Sequence, residues 1–170
     1  MVSVNITIKS FLARNTPVIL LFTSILNEID FNNTELKYFS FNFSYILIFY
    51  YNVKRENGIG YTFIFIAGLF NDVVNGLPMG LSSLCYLLLC VAASYLRNIT
   101  LRPSLIKDWI FFLITIFILN FITFTYLILF FNYEINYFDQ VLNIIGTFVF
   151  YFIFSYIFMF YDEFILGRTN

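Results

Sequence analysis

Polarity along the chain falls into six apolar runs, 16–29, 38–51, 59–74, 79–96, 109–131 and 141–160, separated by short polar segments. Each run is read as a helix in a bilayer, because hydrocarbon offers no partner to backbone groups left unpaired. The first follows a segment holding Lys9 and Arg14 and opens at Thr16-Pro17. A basic start before a short apolar core imitates a signal peptide. The polar Asn27-Glu28-Ile29-Asp30 that follows contains no small-x-small cleavage site, so an uncleaved span is expected. In the second run Phe39, Phe41 and Phe43 alternate as in a strand. A lone strand in lipid leaves its edges unpaired at several kcal/mol per group, so a helix is expected there too. The first two runs are short for a full crossing and gain by sheltering against a neighbour or a partner helix.

The third and fourth runs are joined by Asn75-Gly76-Leu77-Pro78, which carries no charge and predicts a tight helical hairpin. Gly68, Asp72 and Gly76 fall at steps of four and share one helix face, with a carboxylate between two positions that permit close backbone approach. Pro78 lacks an N–H donor and is expected to break the helix. Gly80 follows, and Ser82 and Ser83 open the next helix. Asp72 lies one turn from its helix end, within reach of the free N–H groups and positive dipole end of the following helix. Ser82 and Ser83 are expected to add hydroxyl donors to it.

The later runs carry polar stripes. Ser82, Tyr86, Cys90 and Ser94 recur every four residues, as do Asn143, Thr147, Tyr151 and Ser155, while Asn120 and Thr123 are three apart. These faces are expected to pack inward and hydrogen-bond between helices, each bond contributing about 0.6 kcal/mol; the alternative is that they line a small-molecule cavity or grip a partner helix. Cys85 and Cys90 lie in one apolar run and are read as small packing residues.

Composition agrees with this layout. With 61% hydrophobic, 23% aromatic and 11% charged residues, the 170-residue chain has too little polar surface to face water all round. It has room for about five to seven spans and for no soluble domain beside them. An all-α integral membrane protein, a six-transmembrane-helix bundle forming a single domain, is therefore predicted. The net charge of −1 is uninformative, but its distribution is not. If the amino terminus is cytoplasmic, Lys9, Arg14, Lys54, Arg55, Arg97, Arg102, Lys107 and Arg168 collect on the inside, leaving only Lys37 outside with Glu28, Asp30, Glu35, Glu134 and Asp139. Eight of the nine basic residues on one side predicts both termini in the cytoplasm.

The same inventory argues against catalysis. Without a histidine there is no imidazole base, Ser-His pair or zinc-protease motif. A single clearly intramembrane carboxylate, Asp72, does not make an aspartyl dyad, and an ion path usually needs several buried ionisable groups. No phosphate loop is present, so no nucleotide, metal or other cofactor is expected.

The run 67–88 resembles the signature of the rod shape-determining protein MreD family: Gly68, three residues, Asp72, small polar residues, Gly76, then Pro78, a hydrophobic residue, Gly80 and a helix of Leu and Tyr that includes Tyr86. The signature covers about an eighth of the chain. The early Pro17, the short second run ending in Tyr50-Tyr51 before a charged turn, and the hydropathy layout extend the likeness in pattern. The resemblance implies a non-enzymatic subunit of the bacterial elongation machinery in the cytoplasmic (inner) membrane. Its expected partner is MreC, a bitopic protein with a periplasmic domain, and through MreC the penicillin-binding transpeptidase, RodA and the MreB filament. Gly68, Asp72, Gly76, Pro78, Gly80, Ser82, Ser83 and Tyr86 would then form a structural motif or a partner contact. That family is similar in fold to the substrate-binding component of energy-coupling-factor transporters, which supplies the alternative: a small-molecule-binding subunit of a vitamin transporter, with Asp72 aimed at a cationic ligand.

Overall fold

The computed structural model describes residues 15–25, 41–55, 58–100, 104–132 and 137–166. Six helices carry these residues, with no strand among them: α1 (Asn15–Ile25), α2 (Phe43–Lys54), α3 (Tyr61–Asn75), α4 (Leu81–Ile99), α5 (Leu105–Phe131) and α6 (Tyr137–Leu166). Pro17 sits in the first turn of α1, where its missing N–H has no intrahelical partner to lose. Asn42 caps α2, its Oδ1 accepting the Tyr45 N–H at 3.1 Å; of the alternating phenylalanines Phe43 is helical, Phe41 precedes the helix and Phe39 lies outside the described residues.

The core is built around α2. Every side chain from Ser44 to Val53 is buried, as expected only of a helix surrounded on all sides. It packs on α4, α5 and α6, and on α1 through a Ser24–Ser44 hydroxyl pair at 2.9 Å. Aromatic rings fill the spaces: Phe49 meets Phe112 and Tyr151, Tyr50 and Tyr51 lie against Phe158, and Tyr45 sets its edge to Tyr86.

Three helices, α4, α5 and residues Tyr137–Phe164 of α6, are long and apolar enough to cross a membrane, and the chain is on that basis a multi-pass membrane protein. At 12 residues α2 is about 18 Å long, well under the roughly 30 Å hydrocarbon core. Its shortfall is sheltered by its own chain. Of the two kinds of shelter expected for the second run, a neighbouring helix or a partner, the structure shows neighbours of the same chain around Ser44–Val53.

The helices alternate in direction. At one end Thr16 meets Tyr161 at 3.0 Å, Arg55 pairs with Asp162 at 2.7 Å, Lys54 approaches Asp108 at 3.6 Å, and Arg97 Nη1 donates to the carbonyls of Asn52 and Arg55 at 2.9 and 2.6 Å. This gathers the starts of α1 and α5 with the ends of α2, α4 and α6. All four basic residues described, Lys54, Arg55, Arg97 and Lys107, belong to this end. The remaining basic residues of the charge map, the acidic Glu28, Asp30, Glu35 and Glu134, and the 28–37 connector lie outside the described residues.

Several helix ends differ from expectation: α2 starts at Phe43 and ends at Lys54, and α4 ends at Ile99, three residues past 96. Helix α5 starts four residues before 109 and α6 runs well beyond 141–160 at both ends. The supposed acidic loop puts Asp139 into the first turn of α6, where a carboxylate favours the helix. Asp162 extends the other end by pairing with Arg55. The polar stripes point largely inward: Ser82, Tyr86, Cys90, Thr147, Tyr151 and Ser155 are buried, while Ser94 and Asn143 are half-buried. Thr147 Oγ1 accepts the Asn42 N–H at 2.9 Å, tying α6 to the entry of α2. Asn120 and Thr123 instead donate mainly to carbonyls of their own helix, at 2.8 and 2.9 Å, although Cys85 Sγ lies 3.1 Å from Thr123 Oγ1. Both cysteines are buried and unbridged.

Candidate functional site

Residues 68–86 make the corner at which α3 turns back into α4. Gly68 brings the two helices together: a β-carbon there would fall on Ser83 Cα and lie 2.6 Å from Ser83 N. One layer away Ser83 Oγ donates to the Phe65 carbonyl at 3.0 Å, so the close approach is also hydrogen-bonded.

Four residues on, Asp72 is fully buried and serves both helices. Its carbonyl accepts the N–H of Gly76 and, at 2.9 Å, that of Leu77, closing α3. Its carboxylate reaches across the turn, Oδ2 accepting the Gly80 N–H at 2.7 Å and Oδ1 the Ser82 N–H at 2.9 Å. Gly80, the residue at the N-cap of α4, has no side chain to cap with, and the carboxylate of the preceding helix takes that role. Charge-assisted bonds to backbone N–H groups at a helix start, with the helix dipole behind them, stabilise the anion.

The hydroxyls have other tasks. Ser82 Oγ accepts from Asn71 Nδ2 at 3.0 Å, and Asn75 Nδ2 donates to Asn71 O and Oδ1 at 3.1 and 3.2 Å. The expectation that Ser82 and Ser83 present hydroxyl donors to Asp72 is thus corrected: Ser82 contributes its backbone, and Ser83 bonds Phe65. Gly76 is corrected too. It makes no close approach, since nothing lies within 4 Å of its would-be β-carbon, but it holds φ +63° at the end of α3, in the left-handed region. The helix therefore stops at Gly76, before Pro78 can break it; the Pro78 carbonyl instead accepts the Leu81 N–H at 3.2 Å. Gly80, at φ +95°, completes the turn. Tyr86 lies one turn into α4, buried with its ring edge-on to Tyr45 at 5.7 Å between centroids.

The arrangement thus brings together Gly68, Asp72, Gly80, Ser82 and Ser83, with Gly76 and Pro78 shaping the link and Tyr86 packed behind on α2. Sequence reading missed Asn71, whose spacing of four from Asn75 was its available signal. It also missed the Arg55–Asp162 and Lys54–Asp108 pairs, whose members are too far apart in sequence to leave one. Among the described residues no three or more His, Cys, Asp or Glu side chains cluster as metal ligands would. With both carboxylate oxygens on backbone N–H groups, the chemistry at Asp72 is that of a corner clamp. Compared with known protein families, characterised proteins and solved structures, the chain matches none.

Proposed function

We propose that the chain is a non-enzymatic scaffold subunit of the bacterial elongation machinery, an MreD-type protein of the cytoplasmic membrane that crosses it six times, with both termini inside. Its partner is the transmembrane helix of MreC, and through MreC the transpeptidase, RodA and MreB. The observation that carries this reading is the use made of Asp72. Its carboxylate is committed to the chain's own backbone at Gly80 and Ser82, so the signature residues hold a shape, and what remains for function is the outer helix surface.

That surface is uneven. Helix α3 packs chiefly on α4, with Phe22 of α1 touching Phe70, and leaves Phe63, Phe70 and Val73 exposed. Its 15 residues reach about 22 Å, short of the hydrocarbon thickness. A short helix at the bundle edge gains by taking a neighbour, so the α1–α3 side is the face we assign to MreC. The fold likeness to the substrate-binding component of energy-coupling-factor transporters belongs to the same proposal. A vitamin-binding role would need Asp72 to hold a ligand in place of the two N–H groups it already holds, and no observation favours that.

Photo-crosslinkers at Phe63 and Val73 should capture MreC in cells, and those at Phe121 and Phe152, on the outer faces of α5 and α6, should not. If the protein purifies without MreC from cells containing it, and cell width is normal in its absence, the assignment fails.

A further inference from the structure

At the end of the bundle opposite the corner, an open groove of about 630 Å³ is lined by residues of α4 and α5. Buried Leu96 and half-buried Phe111 line it together with exposed Ile99, Ile110, Ile114 and Lys107. We propose that this groove holds an anionic glycerophospholipid, with one acyl chain in the slot and the phosphate on Lys107. The inference stands independently of the function proposed above.

Charge identifies the occupant. Of the four basic residues described, Lys54 approaches Asp108, Arg55 pairs with Asp162, and Arg97 donates to two carbonyls. Lys107 is exposed and has no hydrogen-bond or ion-pair partner among the described residues. Its chain neighbour Asp108 is buried and turned toward Lys54, so adjacent opposite charges are separated, the acid inward and the base outward. An unpaired ammonium at a helix end, beside an apolar slot, suits a phosphate ester with a hydrocarbon tail. The dimensions agree. From Lys107 to Ile114 is seven residues, about 10 Å along α5, so the slot descends from headgroup level into the acyl region. Exposed Ile99, Ile110 and Ile114 line the descent, and a fatty chain covers them at no polar cost.

The test uses the full chain in mild detergent with equimolar phosphatidylglycerol and phosphatidylcholine of identical acyl chains, with bound lipid counted by native mass spectrometry. The wild type is expected to retain the anionic lipid with about fivefold preference, the factor one lysine near the surface supplies. Lys107→Gln should equalise the two lipids without lowering phosphatidylcholine, and Lys107→Arg should keep the preference. Ile110→Trp, which fills the groove, should lower retention of both. Equal retention by the wild type, a preference that survives Lys107→Gln or disappears in Lys107→Arg, or full phosphatidylglycerol retention in Ile110→Trp each overturns the proposal. Positions 107 and 110 are both exposed, and an unchanged melting curve confirms that each variant is folded.

Discussion

Gly68 of α3 lies against the backbone of Ser83 in α4, so closely that a β-carbon would overlap Ser83 Cα. The contact cannot be relieved by turning the Ser83 side chain, because the two nearest obstructing atoms are main chain. Gly68→Ala must push the helices apart, stretching the Ser83–Phe65 and Asp72–Ser82 bonds in the same interface. A loss of about 1–3 kcal/mol is expected, the usual range for overpacking, read as a lower melting temperature in detergent. Ser83→Ala removes one hydroxyl bond and should cost about 1 kcal/mol or less.

Gly76 is a different kind of glycine. Space around it is open, and only its positive φ constrains the residue type. Gly76→Asn should be close to neutral, because asparagine visits the left-handed region, whereas Gly76→Val should cost about 1–2 kcal/mol in backbone strain. If Gly76→Val is as harmful as Gly68→Val, packing and not backbone geometry governs position 76.

These two glycines show how far the sequence could be read. Their spacing with Asp72 marked a helix face and a hairpin, and both exist. The distinction between them depends on where α4 lies, which a spacing of four cannot tell. Likewise Asp72 was legible as an anion near the next helix start, while the choice of backbone over hydroxyl donors follows from Asn71 claiming Ser82 and Phe65 claiming Ser83. The six runs foretold six helices. That α2, the shortest but one of those described, is the one enclosed by the rest was hidden, because the unbroken apolar run from Tyr45 to Tyr51 gives no face to read.

The bond between Arg55 and Asp162 joins the end of α2 to the end of α6. Both side chains are mostly but not wholly buried, and the guanidinium also lies over the Tyr51 ring at 5.0 Å. In a double-mutant cycle of Arg55→Ala and Asp162→Ala, a coupling of about 1 kcal/mol is expected from thermal unfolding. A coupling indistinguishable from zero would mean that Tyr51, and not Asp162, holds the guanidinium.

Orientation is checked by labelling. In a Cys85→Ala/Cys90→Ala background, single cysteines at Asn33, Asn57, Thr100 and Asn136 should react with a membrane-impermeant maleimide from outside only at positions 33 and 136. The basis is the basic asymmetry, of which all four described members share one end of the bundle. Outside labelling at 57 or 100 would invert the map.

Asp72 offers the sharpest test, because one side chain caps a helix that begins nine residues later. Asp72→Leu would leave the Gly80 and Ser82 N–H groups without their acceptor, at about 1–3 kcal/mol for the buried Ser82 group and less for the half-buried Gly80. Asp72→Asn keeps the shape and one carbonyl acceptor, but its amide nitrogen then faces an N–H it cannot accept. An intermediate loss is expected, with Asp72→Glu also intermediate, since its longer arm displaces both oxygens. Expression, melting temperature, MreC co-purification and cell width should therefore fall together in the order wild type, Asn, Leu. Because the clamp acts through the fold, each variant's loss of function should follow its loss of stability, and growth at lower temperature should restore both. A well-folded Asp72→Asn protein that binds MreC at wild-type level yet fails to support rod shape would separate charge from structure, and the corner-clamp account would then be wrong.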